Sequence, residues 1–222
     1  MFINLIPAIL NGQNIYIWSI VTCVYITVMT LVLIEGLNVK CLAAGVGCVG
    51  GVLVAGALEL LLRDQIKMSG VLDSEWLYLY NLRKDNPIDL KAIIFAMIIV
   101  GAVGAVMDVA MSIASSLCEI NEKSPDLPAR ELLKSGLTIG RDIMGTMANT
   151  LVLAYIGSAL CCVLLMVTYS SNVSQILNRE QIAVEILQAL AGSIGILAAL
   201  PLTAITSVLC LKPLNRIKRS VH

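Results

Sequence analysis

Asp142, Thr146 and Asn149 stand at i, i+4 and i+7 with Gly145 beside them, so on a helix they share one face. Asp108, Ser112 and Ser115 make a second such row, continued by Ala105, Gly104 and Gly101. A carboxylate set among hydroxyl and amide oxygens is suited to holding a proton or a cation, and an Arg141-Asp142 pair at a helix mouth is suited to gating or orienting it. Asp142 or Glu119 is the expected counter-charge of Arg141. Two acids on neighbouring helices also fit a hydrolytic dyad sharing one proton. That chemistry is disfavoured here, because Asp142 sits close to the water boundary in "GRDI" and Asp108 lies within "MDV". The only histidine is His222, which removes imidazole as a base or metal ligand almost anywhere in the fold. The seven cysteines have no C-x-x-C spacing and read as small buried thiols. We therefore expect no enzyme, no metal and no cofactor.

Both rows of polar residues lie in a chain made for lipid. Hydrophobic residues make up 58% of it and charged residues 14%, with a mean hydropathy of +0.89. That is more apolar surface than one soluble core of this size uses. The formal charge is zero and there is no basic block with interleaved aromatics, so nucleic acid is excluded as a partner and the lipid bilayer is the expected one. Five segments are long and apolar enough to span, at residues 15–34, 42–62, 92–117, 143–169 and 182–211. The fold class is thus all-α, a polytopic transmembrane helix bundle with short interfacial helices, and residues 1–222 form a single integral membrane domain.

Membrane helices meet through small side chains. The second span has Ala43, Gly47, Gly51 and Ala55 four apart, ending in Glu59. We assign Gly47, Gly51, Gly101, Gly104 and Gly145 to helix packing, and Asp108, Ser112, Arg141, Asp142, Thr146 and Asn149 to a polar path. The antiparallel third and fourth spans should bring Asp108, Thr146 and Asn149 to one level. In the fifth span Glu185, Gln188, Gly192, Gly195 and Ala199 share a face. There Glu185 is near the outer end, within reach of water, and Pro201 should kink the helix, with Thr203 or another hydroxyl taking up the freed carbonyl.

Three connections have character of their own. The opening "FINLIPAIL" is too short to cross and suits the interface. In "SGVLDSEWLYLYNL", Asp73-Ser74-Glu75 marks a helix start, and Trp76 and Tyr80 are four apart, a spacing that turns both rings to the headgroups. In "SPDLPARELLKSGLTIGRD", Pro128 suits a first helical turn and Leu132, Leu133 and Leu137 oppose Arg130, Glu131 and Lys134, which predicts a surface helix feeding the fourth span. Nine of the 15 Lys and Arg fall on the side of the C-terminus and six on the other, so the C-terminus is expected in the cytoplasm and the N-terminus outside.

"GAVMDVAMSIASSLCEI" (residues 104–120) and "ARELLKSGLTIGRDIMGTMANTLVLAYIG" (residues 129–157) resemble the YibE/F family of bacterial membrane proteins. Ala148 stands where a Thr is common in that pattern, and Cys161 where a Pro often follows. The resemblance implies a multi-spanning protein of the bacterial inner membrane, a short member of the family, working with a longer YibE/F-like partner or by self-association. It supports Asp108, Arg141, Asp142, Thr146 and Asn149 as motif positions without giving them roles. Two functions follow as expectations: a permease or transport-complex component of unknown substrate, or a non-transporting scaffold or subunit of a larger complex.

Overall fold

Lipid offers no partner to a backbone N–H or C=O, so a chain this apolar must satisfy those groups within each helix. The computed structural model describes residues 5–36, 38–66, 69–72, 74–81, 88–169 and 179–220, without the side chains of 64, 74, 75, 77, 162, 166, 169 and 214–220. All regular structure among the described residues is helical: α1 (Leu5–Leu10), α2 (Ile15–Glu35), α3 (Val39–Ile66), α4 (Ser74–Asn81), α5 (Leu90–Lys123), α6 (Ala129–Tyr169) and α7 (Glu180–Ser220). Five of them, α2, α3, α5, α6 and α7, are long and apolar enough to cross a membrane.

Local chemistry sets the ends. Asn14 caps α2 by accepting the Tyr16 N–H at 3.1 Å, and Asp89 caps α5 by accepting the N–H groups of Lys91 and Ala92 at 3.0 and 3.3 Å. Gly36 ends α2 with φ +70°, a conformation that favours glycine, and its N–H reaches the Val32 carbonyl at 3.0 Å. At one end of the bundle Lys212 donates to the Leu127 carbonyl. At the other, Glu180 accepts from the Ser69 hydroxyl at 2.5 Å and the Gly70 N–H at 2.6 Å. These clasps hold the connections 124–128 and 69–72 against α7 at opposite ends.

The centre is a triangle of α3, α5 and α7. Between α3 and α7 the backbones nearly touch. A Cβ at Gly51 would stand 2.6 Å from the Gly195 carbonyl oxygen, and one at Gly47 would stand 1.8 Å from the Thr203 hydroxyl. Thr206 donates across the same crossing to the Ala43 carbonyl at 3.3 Å. Such contact matters because lipid tails are as apolar as the side chains, leaving close van der Waals packing to join the helices.

α2 packs on α3 and α5, and α6 packs on α5 and α7. Around α5 the neighbours therefore run α2, α3, α7, α6, and its remaining side faces outward between α2 and α6. α6 is the least covered helix: 11% of its apolar window is buried, against 61% for α5. Leu153, Ile156, Leu160 and Leu164 point out from its later half, as a lipid-facing surface requires.

Several sequence expectations change here. The surface helix expected near Pro128 is not separate: α6 runs unbroken for 41 residues, about 60 Å, because no glycine or proline after Pro128 breaks the ladder in a way the neighbours do not tolerate. Its Leu132 is fully buried and Gly136 lies against Leu117, so the amphipathic turns pack on α5 and not on headgroups. α4 occurs at the expected place, but Trp76 packs beside Leu58 and Leu62 against the core, while Tyr80 is exposed. Asp73 and the side chains of Ser74 and Glu75, like Phe2, Ile3 and Asn4 of the opening stretch, lie outside the described residues. Pro201 sits within a helix that continues past it, and the Thr203 hydroxyl has no hydrogen-bond partner, so Thr203 does not take up the freed carbonyl.

Candidate functional site

The periodicity of α5 divides it into two faces. Ala102, Val103, Val106, Val109, Ala110, Ile113 and Leu117 are buried in the central triangle. The opposite row, Gly101, Gly104 and Asp108, is exposed on the flank between α2 and α6, followed by half-covered Ser112 and Ser115. α6 borders this row. Gly136 touches Leu117, Gly140 touches Ile113, and the Tyr155 hydroxyl lies near Gly101. That antiparallel register puts Asp108 at the height of residues 145–148 and Arg141 one to two turns nearer the helix end.

Arg141, Asp142, Gly145, Thr146 and Asn149 are all exposed. The structure thus leaves both rows exposed at matching heights, but it does not join the side chains to one another, and the α6 row turns away from the Gly136 and Gly140 face that packs on α5. The Asp108 carboxylate makes no hydrogen bond or ion pair among the described residues. Arg141 likewise has no ionic partner among them, and Glu119 is paired instead with Lys123 at 2.7 Å, one turn on. A Cβ at Gly104 or Gly145 would meet nothing within 4 Å, so neither glycine serves a close crossing inside the chain. Gly47 and Gly51 belong to the α3–α7 crossing, remote from this flank.

The hydroxyls have a consistent orientation. Ser112 donates to the Asp108 carbonyl at 2.8 Å, Ser116 to the Ser112 carbonyl at 2.7 Å, and Thr150 to the Thr146 carbonyl at 2.9 Å. With its proton committed to the backbone, each oxygen presents lone pairs outward. Beside a carboxylate, such a surface suits a positively charged or protonating species.

Sequence reading missed a second polar cluster, at the end of the bundle where α2 begins. Arg63 donates to the Tyr16 hydroxyl at 2.5 Å and lies over the same ring, 5.4 Å from its centroid. Tyr16 donates in turn to Asp89 at 3.4 Å and packs on Phe95, ring centroids 5.1 Å apart. Glu59, one turn before Arg63, is wholly buried. The i, i+4 spacing of Glu59 and Arg63 was the available signal, but Tyr16 and Asp89 are too distant in sequence for any spacing to reveal. The cluster ties α2 to α3 and α5. Tyr16→Phe should lower unfolding stability by on the order of 1 kcal/mol while leaving the five helices intact, readable as a lower midpoint in a thermal melt followed by circular dichroism.

Six of the seven cysteines have described side chains and all six are free thiols. No group of three or more metal-ligating side chains occurs among the described residues.

The family model described as YibE/F-like protein matches residues 1–213, which takes in all five spans. The chain belongs to the YibE/F-like family. No curated protein and no solved structure matches it. The two polar blocks of this YibE/F-like chain, on α5 and α6, are therefore part of a family pattern that runs the length of the bundle, and both turn away from its central triangle.

Proposed function

We propose that this YibE/F-like protein is a subunit of a transport complex in the bacterial cytoplasmic membrane, with its C-terminus in the cytoplasm. The polar flank of α5 and α6 lines a path for a proton or small cation. One observation carries the reading: Asp108 stands exposed on a membrane-spanning helix, among outward-facing oxygens and glycines. An ionised acid facing lipid near a helix centre costs about 2.5–3.5 kcal/mol or more. Such a cost is supportable when the acid faces water, a cation or another protein.

The path is completed by a second polypeptide, a longer YibE/F-like protein or another copy of this chain, closing the flank between α2 and α6. Asp108 exchanges the cation, Ser112, Thr146 and Asn149 offer neutral oxygens, and Arg141 with Asp142 guards the cytoplasmic mouth. The scaffold reading draws on a different observation. Open space over Gly104 and Gly145 suits a docking helix whether or not anything is transported.

Proteoliposomes holding the native complex separate the two. The transport reading expects flux of protons or alkali cations that varies with pH across the range where carboxylates titrate. A complex of normal mass with no flux of either would leave only the scaffold.

A further inference from the structure

Above Asp108 the polar flank leads to a notch that the motif does not include. At Gly101, α5 has no side chain, and the tips of two residues from other helices converge there. A Cβ at Gly101 would lie 2.9 Å from the Gln188 amide nitrogen and 2.9 Å from the Tyr155 hydroxyl. Gly192 on α7 faces the same hydroxyl, 3.8 Å from where its Cβ would be. The phenol end thus lies between two glycines on two helices.

The tips in this notch do not fully satisfy one another. The Tyr155 hydroxyl, shielded from solvent, lies beside the Gln188 amide in a geometry that makes no proper hydrogen bond. One carboxylate oxygen of Glu185, a turn from Gln188 on the same face of α7, is also buried without a partner. Glu185 is therefore not simply solvated, as its place near the helix end suggests. Native structures seldom leave such groups orphaned, and each one asks for an explanation.

Charge and ligand number narrow the explanation. Residues 92–122, 142–178 and 180–211 contain no Lys or Arg, and Glu185 makes no ion pair among the described residues. An anion is disfavoured by the same fact. Ca²⁺ and Mg²⁺ are generally held by more than one carboxylate, and the single carboxylate here would leave a divalent charge uncompensated. A hydroxyl, an amide oxygen and a single carboxylate match a monovalent cation that keeps part of its water shell, in charge and in kind.

We propose that Tyr155, Gln188 and Glu185 bind a monovalent alkali cation beside Gly101, about 10 Å along α5 from Asp108. In this arrangement the Gln188 amide turns its oxygen toward the notch. The proposal rests on the transport reading for its purpose, as an outer station on the path to Asp108, but its chemistry is tested independently.

The test is a titration of the purified full-length protein in nanodiscs with NaCl or KCl against choline chloride at constant ionic strength, read by tyrosine fluorescence and thermal midpoint. A saturable response to Na⁺ or K⁺ is expected. Its half-saturation should rise at least tenfold in Glu185→Gln and in Tyr155→Phe and stay within twofold in Glu119→Gln, an exposed acid away from the notch. Gly101→Ala covers the case in which those variants do not fold. Its added methyl meets only the far ends of two side chains, so the protein should fold and lose the response. No saturable response in the wild type, or a response unchanged in the folded variants, overturns the site. A wild type that binds the cation without flux in its native complex counts against the transport reading and leaves the site standing.

Discussion

Asp108→Asn should reduce flux through the native complex at least tenfold, at unchanged complex mass and with the thermal midpoint equal to or above that of the wild type. Asn keeps the shape of the side chain and one of its two acceptor oxygens, with an NH₂ donor in place of the other, but it neither ionises nor exchanges a proton. If the acid served stability, its loss would lower the midpoint. The structure argues the reverse, since the carboxylate has no hydrogen bond or ion pair among the described residues that the substitution could break. Removing a charge from a membrane-spanning face relieves a cost of a few kcal/mol, so an inactive protein that is no less stable is the expected signature. A variant with full flux would remove Asp108 from the path. A variant with lower stability and a dissolved complex would make it an assembly residue.

Gly51→Leu is expected to have the largest effect on the fold. A Cβ at this position would already stand 2.6 Å from the Gly195 carbonyl oxygen and 2.9 Å from the Ala199 methyl, and neither can swing away as a flexible side chain would. The helices must separate, which loosens the contact at the heart of the α3, α5 and α7 triangle. Overpacking typically costs 1–3 kcal/mol, and the upper end, about 3 kcal/mol, applies where backbone is the obstacle. Gly104→Leu is the matched control. Nothing lies within 4 Å of a Cβ there, so the isolated chain should unfold at the wild-type midpoint. Equal stability of the two variants would mean that α3 and α7 do not cross at Gly51 and Gly195.

These predictions divide between what sequence periodicity can and cannot reveal. All five spans were legible because lipid demands a long apolar run and little else in a chain of this size produces one. The faces were legible too. Residues 43, 47, 51 and 55 repeat every fourth position, and the rows on α5 and α6 repeat at steps of three and four. Periodicity states which residues share a face but not which way that face turns. On α3 the small face turns inward to α7, whereas on α5 the small polar face turns outward, and only tertiary packing makes the difference. The continuity of α6 was hidden because its first three turns are amphipathic like a surface helix, and their partner, Leu117, comes from another span. Tyr16, Arg63 and Asp89 meet only after three helices have folded together. Tyr155 was passed over because one hydroxyl in an apolar run has no local signature.

The outward turn of Asp108, Gly104, Gly145 and Thr146 is the feature on which function depends. An inward polar face would make the bundle complete in itself. Under the proposed function an outward one requires another polypeptide to finish the path, as small-residue surfaces allow when a helix docks on them.

A photo-crosslinking residue at position 104, in cells expressing the protein at its native level, tests this most directly. The flank predicts adducts larger than the 23.7 kDa chain by the mass of a second polypeptide, identifiable by mass spectrometry as a longer YibE/F-like protein or as this chain itself. The same residue at Val28, exposed on α2 opposite its buried row, should capture lipid. Lipid adducts alone at position 104 would contradict the account, because Asp108 would then face the bilayer with no protein beside it.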